Sequence, residues 1–328
     1  VKRVAAVAAL GVAVAGVRRY AAARDAMAAV APDLRSPLMP FFPTTWRAWQ
    51  LPLFRLAGRV RTPAGRGVTV TERRVGEPVV RVLITTPTEG QGPRAGVLWI
   101  HGGGFIIGTP QMEQSGTARL ARDLGVVTVS PDYRLAPEYP FPAALDDCMA
   151  TLRWMRANAD ELGIDPDRIA VMGASAGGGL SAAVAQRSHD EGIPLRAQVL
   201  VYPMLDDRTV LREDHAGRGR FMWTPSSNRF GWTSYLGHAP RRSDAPQYSA
   251  PARRDDLTGL PPAWIGVGEL DLFYDEDVDY AERLKASGVP CTLVTVPGMY
   301  HGGDVSGEKS LLLKDFHPSA QAHLRTYI

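Results

Sequence analysis

Ile169-Ala170-Val171-Met172-Gly173-Ala174-Ser175-Ala176-Gly177-Gly178 is the stretch on which the fold turns. Its first four residues are wholly apolar and short, the pattern of a strand buried on both faces. A helix is expected to start at Ser175, which leaves Gly173-Ala174-Ser175-Ala176-Gly177, a G-x-S-x-G pentapeptide, at the junction. A strand turning sharply into a helix has no room for flanking side chains, hence Gly173 and Gly177. The same turn projects Ser175 from the end of a sheet and aims the helix N-terminus at developing negative charge. Three fixed positions of common residues say little by themselves. The strand-turn-helix setting is what marks Ser175 as a nucleophile.

On either side the texture repeats. Val97–Ile100, Val126–Val129, Val199–Tyr202, Ala263–Val267 and Thr292–Val296 are short apolar runs, separated by helical patterns such as Glu113–Leu124 and Ala143–Leu162. Buried strands alternating with helices predict an α/β fold with a parallel sheet and right-handed crossovers. Before them, Val68–Val75 and Val79–Thr85 are rich in β-branched residues and joined by Gly76-Glu77-Pro78, which predicts an antiparallel pair. One segment breaks the rhythm. From Leu205 to Gly237 a polar, Arg-rich loop leads to Phe221-Met222-Trp223 and Trp232–Leu236. It reads as an insertion over the carboxyl ends of the strands, where open α/β sheets place ligands.

Three further groups suit chemistry at Ser175. His101-Gly102-Gly103-Gly104-Phe105 follows a strand, and consecutive glycines let backbone N–H groups converge on one point. Gly103 and Gly104, with Ala176, are the expected oxyanion donors, and His101 is expected to hold the loop. The P-loop lysine and the G-x-G-x-x-G spacing are both missing, which argues against a phosphate cradle. His301, in Pro297-Gly298-Met299-Tyr300-His301-Gly302-Gly303, sits in a tight loop after a late strand and is the expected base. The acid that orients it should follow the strand ending at Val267. Asp271 is the choice, with Glu269 and Asp275 as alternatives.

Composition narrows the class. The 328 residues carry a formal net charge of +3 with 22% charged residues. The arginines are scattered among carboxylates rather than gathered into a stripe, which argues against a nucleic-acid partner. Cys148 and Cys291 cannot build a disulfide framework, and no zinc spacing occurs, so free buried thiols in a reducing, cytoplasmic setting are expected. No metal or organic cofactor is required. At the amino terminus Val4–Val17 is an apolar run between Lys2-Arg3 and Arg18-Arg19. As a helix it would span about 21 Å, short of a roughly 30 Å hydrocarbon core. It reads either as a packed helix continuing through Ala29, or as an export signal or peripheral membrane anchor over residues 1–19.

The loop His101–Gly104, the run Asp132-Tyr133-Arg134-Leu135-Ala136-Pro137-Glu138, the elbow Ser175–Gly178, the segment Gly268–Asp277 with Tyr280-Ala281, and Tyr300-His301-Gly302 together resemble the hormone-sensitive lipase family of α/β-hydrolases, the bacterial family IV esterases. The resemblance runs from about Val97 to the end. It implies an α/β-hydrolase fold with a mostly parallel eight-stranded sheet, a Ser175–Asp271–His301 triad, and Gly103, Gly104 and Ala176 as oxyanion hole. It also implies a helical cap from residues 1–62 and 205–245, over a core of 63–204 and 246–328. Arg134 and Glu138 would fix loops near the site. Ala174 departs from the family, which usually carries Asp or Thr there. The activity implied is hydrolysis of short-to-medium-chain acyl esters, with amides or lactones as alternative substrates. A small-molecule receptor on the same fold is the rival of another class. Trp46, Phe221, Trp223 and Trp232 are expected pocket residues. The β-forming run Cys291–Val296 is an expected edge for homodimer pairing.

Overall fold

The computed structural model describes residues 20–21, 23–41, 44–90, 92–307 and 310–328. The run Val4–Val17 lies outside them. Residues 23–29 are helical (α1), and a short helix α2 spans Leu51–Ala57. Among the described residues, no helix is long and apolar enough to cross a membrane.

Eight strands form one sheet: β1 Val68–Val75, β2 Val80–Pro87, β3 Arg94–Ile100, β4 Val127–Pro131, β5 Ile164–Ala174, β6 Gln198–Val201, β7 Ala263–Gly268 and β8 Cys291–Val296. Their order is β1-β2-β4-β3-β5-β6-β7-β8. β1 pairs with β2, and β2 with β4, in antiparallel register; every other pairing is parallel. β5 therefore lies inside the sheet between β3 and β6. Its apolar centre, Ile169–Met172, is covered on both faces.

Two elements differ from the sequence reading. β5 starts at Ile164, because Arg94 pairs with Ile164 across an irregularity before Gly96–Ile169 resumes the ladder. Pro166, lacking an N–H, falls in that interruption, where a missing ladder bond is tolerated. The helix expected over 143–162 divides into α4, Ala143–Ala157, and α5, Ala159–Leu162. Asn158 leaves helical geometry and its side-chain amide donates to the Trp154 carbonyl at 2.9 Å, a local bond that competes with the helix.

The remaining helices are α3 Gln114–Leu124, α6 Ala176–Asp190, α7 Pro225–Leu236, α8 Tyr274–Ala286, α9 Gly303–Ser306 and α10 Phe316–Tyr327. α7 lies in the segment that broke the strand-helix rhythm, and it packs on the body. Tyr235 stacks on Phe105 at 3.9 Å, and Trp232 sits 5.4 Å from the same ring. Cys148 is fully buried in α4, whereas Cys291 at the start of β8 is only half-buried, a correction to the expectation of two buried thiols.

Candidate active site

The elbow takes its shape from backbone crowding. An added Cβ at Gly177 would lie 2.1 Å from the Ile100 carbonyl oxygen, so only glycine lets α6 start against β3. Ser175 adopts φ 57°, ψ −123°, a conformation that a residue with a side chain holds only under strain. Surrounding bonds enforce it. Ser175 N–H donates to the Val201 carbonyl at 2.9 Å, and the Ser175 carbonyl accepts from Gly179 and Met204 N–H at 3.0 Å each. Ala174 contributes no side-chain bond beneath the elbow, and these main-chain bonds hold it instead.

His301 stands between Ser175 and Asp271. Its Nε2 is 2.9 Å from Ser175 Oγ and its Nδ1 is 2.8 Å from Asp271 Oδ2. Asp271 is fully buried, and its other oxygen accepts from Phe273 N–H at 3.0 Å. The two alternative acids are elsewhere. Glu269 is exposed, and Asp275 is exposed and paired with Arg212 and Arg218. The rings of Tyr202 and Phe273 meet the imidazole edge-on at 4.8 and 5.2 Å, which keeps water from most of its surface.

The glycine loop supplies donors. Among the described residues neither Gly103 nor Gly104 N–H makes a hydrogen bond, and Ala176 N–H is the first of α6, with no acceptor inside the helix. Gly104 has φ 60°, and a Cβ there would lie 2.0 Å from the Trp223 ring, so glycine is required on both counts. His101 does not reach the serine. Its ring stacks on Tyr133 at 4.1 Å, its Nδ1 donates to the Gly102 carbonyl at 2.8 Å, and burial pushes its pKa down to about 4. It is therefore a neutral Nδ1–H imidazole within the loop.

The Asp132–Glu138 run braces the same loop. Tyr133 Oη donates to the His101 carbonyl at 3.0 Å. Arg134 forks onto buried Asp147, and Glu138 pairs with Arg55 at 2.8 Å. Arg55, from α2, also donates to the carbonyls of Ile106 at 2.9 Å and Ala136 at 2.7 Å. Its guanidinium holds the Glu138 carboxyl below the usual carboxylate range.

A cavity of about 520 Å³ opens beside Ser175. Of the four aromatic residues named from the sequence, Trp46 and Trp223 line it, and Phe221 and Trp232 do not. A tight turn explains Phe221. Trp223 N–H donates to the Phe221 carbonyl at 2.7 Å and Met222 has φ 59°, so Met222 and Trp223 face the cavity while Phe221 turns back toward Tyr300. Trp232, on α7, is fully buried against Phe105, the residue that follows the glycine loop. Met222, Tyr202, Glu113 and Asp304 also line the cavity and were not singled out from the sequence. Glu113 reads in sequence only as the start of a helix, and Tyr202 only as the end of a strand.

A sheet of this order, with a serine at the tip of an inner strand and an imidazole bridging it to a buried carboxylate, is the α/β-hydrolase architecture. The chain belongs to the hormone-sensitive-lipase-like family of α/β-hydrolases: a family model for the alpha/beta hydrolase fold matches residues 97–304. Carboxylesterase NlhH of Mycobacterium tuberculosis is 40% identical over 219 residues, which cover 63% of this chain and 65% of that protein. An arylesterase of Saccharolobus solfataricus is 36% identical over 62% of this chain and 67% of its own length. The match thus spans somewhat less than two thirds of NlhH. Among solved structures, a bacterial heroin esterase superposes with a TM-score of 0.82 at 34% identity, covering 92% of this chain and 98% of that one. Esterase LipW from Mycobacterium marinum superposes with a TM-score of 0.78 at 32% identity, over 92% of this chain and 96% of that one.

Proposed function

We propose that this protein is a serine carboxylesterase acting on short-to-medium-chain acyl esters. The observation that carries the reading is the Ser175–His301–Asp271 line, at 2.9 and 2.8 Å, ending beside the free N–H groups of the glycine loop. His301 takes the proton from Ser175 as Oγ attacks the ester carbonyl. Asp271 holds the Nδ1–H tautomer and stabilises the imidazolium that forms. Gly103, Gly104 and Ala176 N–H receive the oxyanion of the tetrahedral intermediate. Loss of one such donor typically costs about 10²–10³ in rate. His301 then protonates the departing alcohol, and water repeats the sequence on the acyl-enzyme.

The substrate range follows from the cavity. A volume of about 520 Å³ walled by Trp46, Met112, Met222 and Trp223 suits a small, largely apolar ester. We assign its cover to residues of the 1–62 segment and of 205–245, since Trp46 comes from the first and Met222 and Trp223 from the second. Nitrophenyl esters with acyl chains of two to sixteen carbons, beside matched anilides, test the assignment. Turnover is expected to peak at short-to-medium chains and to exceed that of the anilide. Equal or faster anilide cleavage would make the protein an amidase, and no turnover of either, with tight ligand binding, would make it a receptor.

Self-association is assigned to the free edge of the sheet. Among the described residues β8 pairs only with β7, and its outer residues are partly exposed. An unpaired edge rich in β-branched residues favours strand addition by a second copy. Light scattering across micromolar concentrations is expected to give a dimer mass that falls to the monomer when Thr295 is replaced by proline.

A further inference from the structure

We infer that Glu113 is a positioning residue for the oxyanion loop: its carboxylate holds Gly102 so that the Gly103 and Gly104 N–H groups point where the oxyanion forms. The inference rests on the esterase reading above and adds to it a residue outside the triad and the hole.

Glu113 precedes α3, yet its side chain does not cap that helix. It reaches the glycine loop instead. Oε1 accepts from Gly102 N–H at 3.0 Å, and Oε2 accepts from the indole N–H of Trp99, the penultimate residue of β3. One carboxylate thus ties the end of the strand to the first glycine of the loop it feeds. The other polar group of Gly102 is held too, since its carbonyl accepts from His101 Nδ1 at 2.8 Å. The Gly102 carbonyl and the Gly103 N–H belong to the same planar peptide and point in opposite directions. Fixing both the N–H and the carbonyl of Gly102 therefore fixes its φ and ψ, and with them the direction of the Gly103 N–H. Glycine is the residue with most freedom to lose, so a loop of three in a row needs such restraint.

Electrostatics makes the placement telling. Glu113 lines the same cavity as Ser175, together with Asp304. A carboxylate there opposes the negative charge that develops on the substrate, and burial also pushes the Glu113 carboxyl up, as does the negative Asp304. A carboxylate that only faced the substrate would slow the reaction. Its two N–H donors absorb its charge and give it a structural use at that position.

The test compares wild type with Glu113→Gln and Trp99→Phe on a short-chain nitrophenyl ester. Rates are normalised to sites titrated with a nitrophenyl phosphonate, and thermal melts are run in parallel. Glutamine keeps one acceptor and removes the charge. Positioning predicts a fall in kcat per titrated site of about 10-fold or more, by comparison with loss of a whole oxyanion donor, with KM within about 3-fold. Trp99→Phe removes one of the two anchors and leaves the Gly102 bond. A smaller fall in kcat, again with KM unchanged, is expected, and this variant stands in if Glu113→Gln does not fold. An unchanged or faster kcat in Glu113→Gln, or a change confined to KM, overturns the inference. Wild type that is neither titrated nor active would overturn the esterase reading itself.

Discussion

Ser175→Ala is expected to lower kcat for nitrophenyl esters by about 10⁴-fold or more, while substrate still binds. Alanine removes the oxygen that His301 Nε2 faces across 2.9 Å, so no acyl-enzyme can form. What survives is the stabilisation by the oxyanion donors and by binding, which in other serine hydrolases leaves roughly 10³–10⁴ over the uncatalysed rate. The fold should be indifferent to the change. Alanine keeps the Cβ and hence the same backbone constraint at φ 57°, and it leaves the main-chain bonds to Val201, Gly179 and Met204 in place. Melting temperature should therefore stay near that of wild type. Stopped-flow measurements should show an acylation burst in wild type and none in the variant. A variant retaining a tenth or more of wild-type turnover would remove Ser175 from the nucleophile role, whatever the geometry around it.

The second large effect concerns stability and arises at a buried acid that feels the charge of Asp271. Asp277, in α8, is fully buried, and among the described residues neither carboxylate oxygen has a hydrogen-bond partner. Burial pushes its carboxyl well above the usual range, helped by the negative charge of Glu276 and of Asp271. The folded protein therefore favours the neutral acid more than the unfolded chain does. Because the folded-state pKa is raised, the associated stability is complete below the unfolded value near 4 and is lost as pH rises toward the folded value. Asp277→Ala removes both the unsatisfied carboxyl and this pH dependence, and alanine also favours a helix interior. The expected gain is about 1–3 kcal/mol at pH 8, the usual cost of a buried polar group without a partner, and less at pH 4. Urea titrations at the two pH values measure it. Asp277→Asn should flatten the pH dependence while keeping the unsatisfied polar atoms, so its absolute gain should be smaller. Equal stability of wild type and Asp277→Ala at pH 8 would show that the carboxyl is compensated.

Much of the architecture was legible because its signals are local. An apolar run too short for a helix, then glycines at a turn, then a helical pattern, can be recognised within ten residues. The strands from β3 to β8 and the elbow at Ser175 follow from short apolar runs broken by turns and helical patterns, and β1 and β2 from β-branched runs joined by turn residues. The 205–237 segment was legible as an exception for the same reason. Its lack of a buried strand is visible in the chain itself, and the structure places a short 3-10 helix over Asp207–Leu211 and the α-helix α7 there. The limits appear wherever direction matters. Phe221, Met222 and Trp223 are consecutive and all apolar, and only the positive φ at Met222 decides which of them face the cavity. Trp232 has the composition of a pocket residue and the position of a core residue.

By itself the sequence determined the α/β alternation, the serine at the turn, the glycine loop that follows β3 and a short list of acids and histidines for its partners. These depend on periodicity and on residues that only certain backbones admit. The tertiary structure alone put Asp271 at 2.8 Å from His301 and left Glu269 and Asp275 at the surface, kept Phe221 and Trp232 out of the cavity, and brought Glu113 from the start of α3 to Gly102. Those outcomes depend on distances between residues up to 126 apart in the chain, as Ser175 and His301 are. No local propensity encodes such distances. They are set when β3, β5, β6, β7 and β8 align side by side in one sheet and the loops at their carboxyl ends are forced to share one small space.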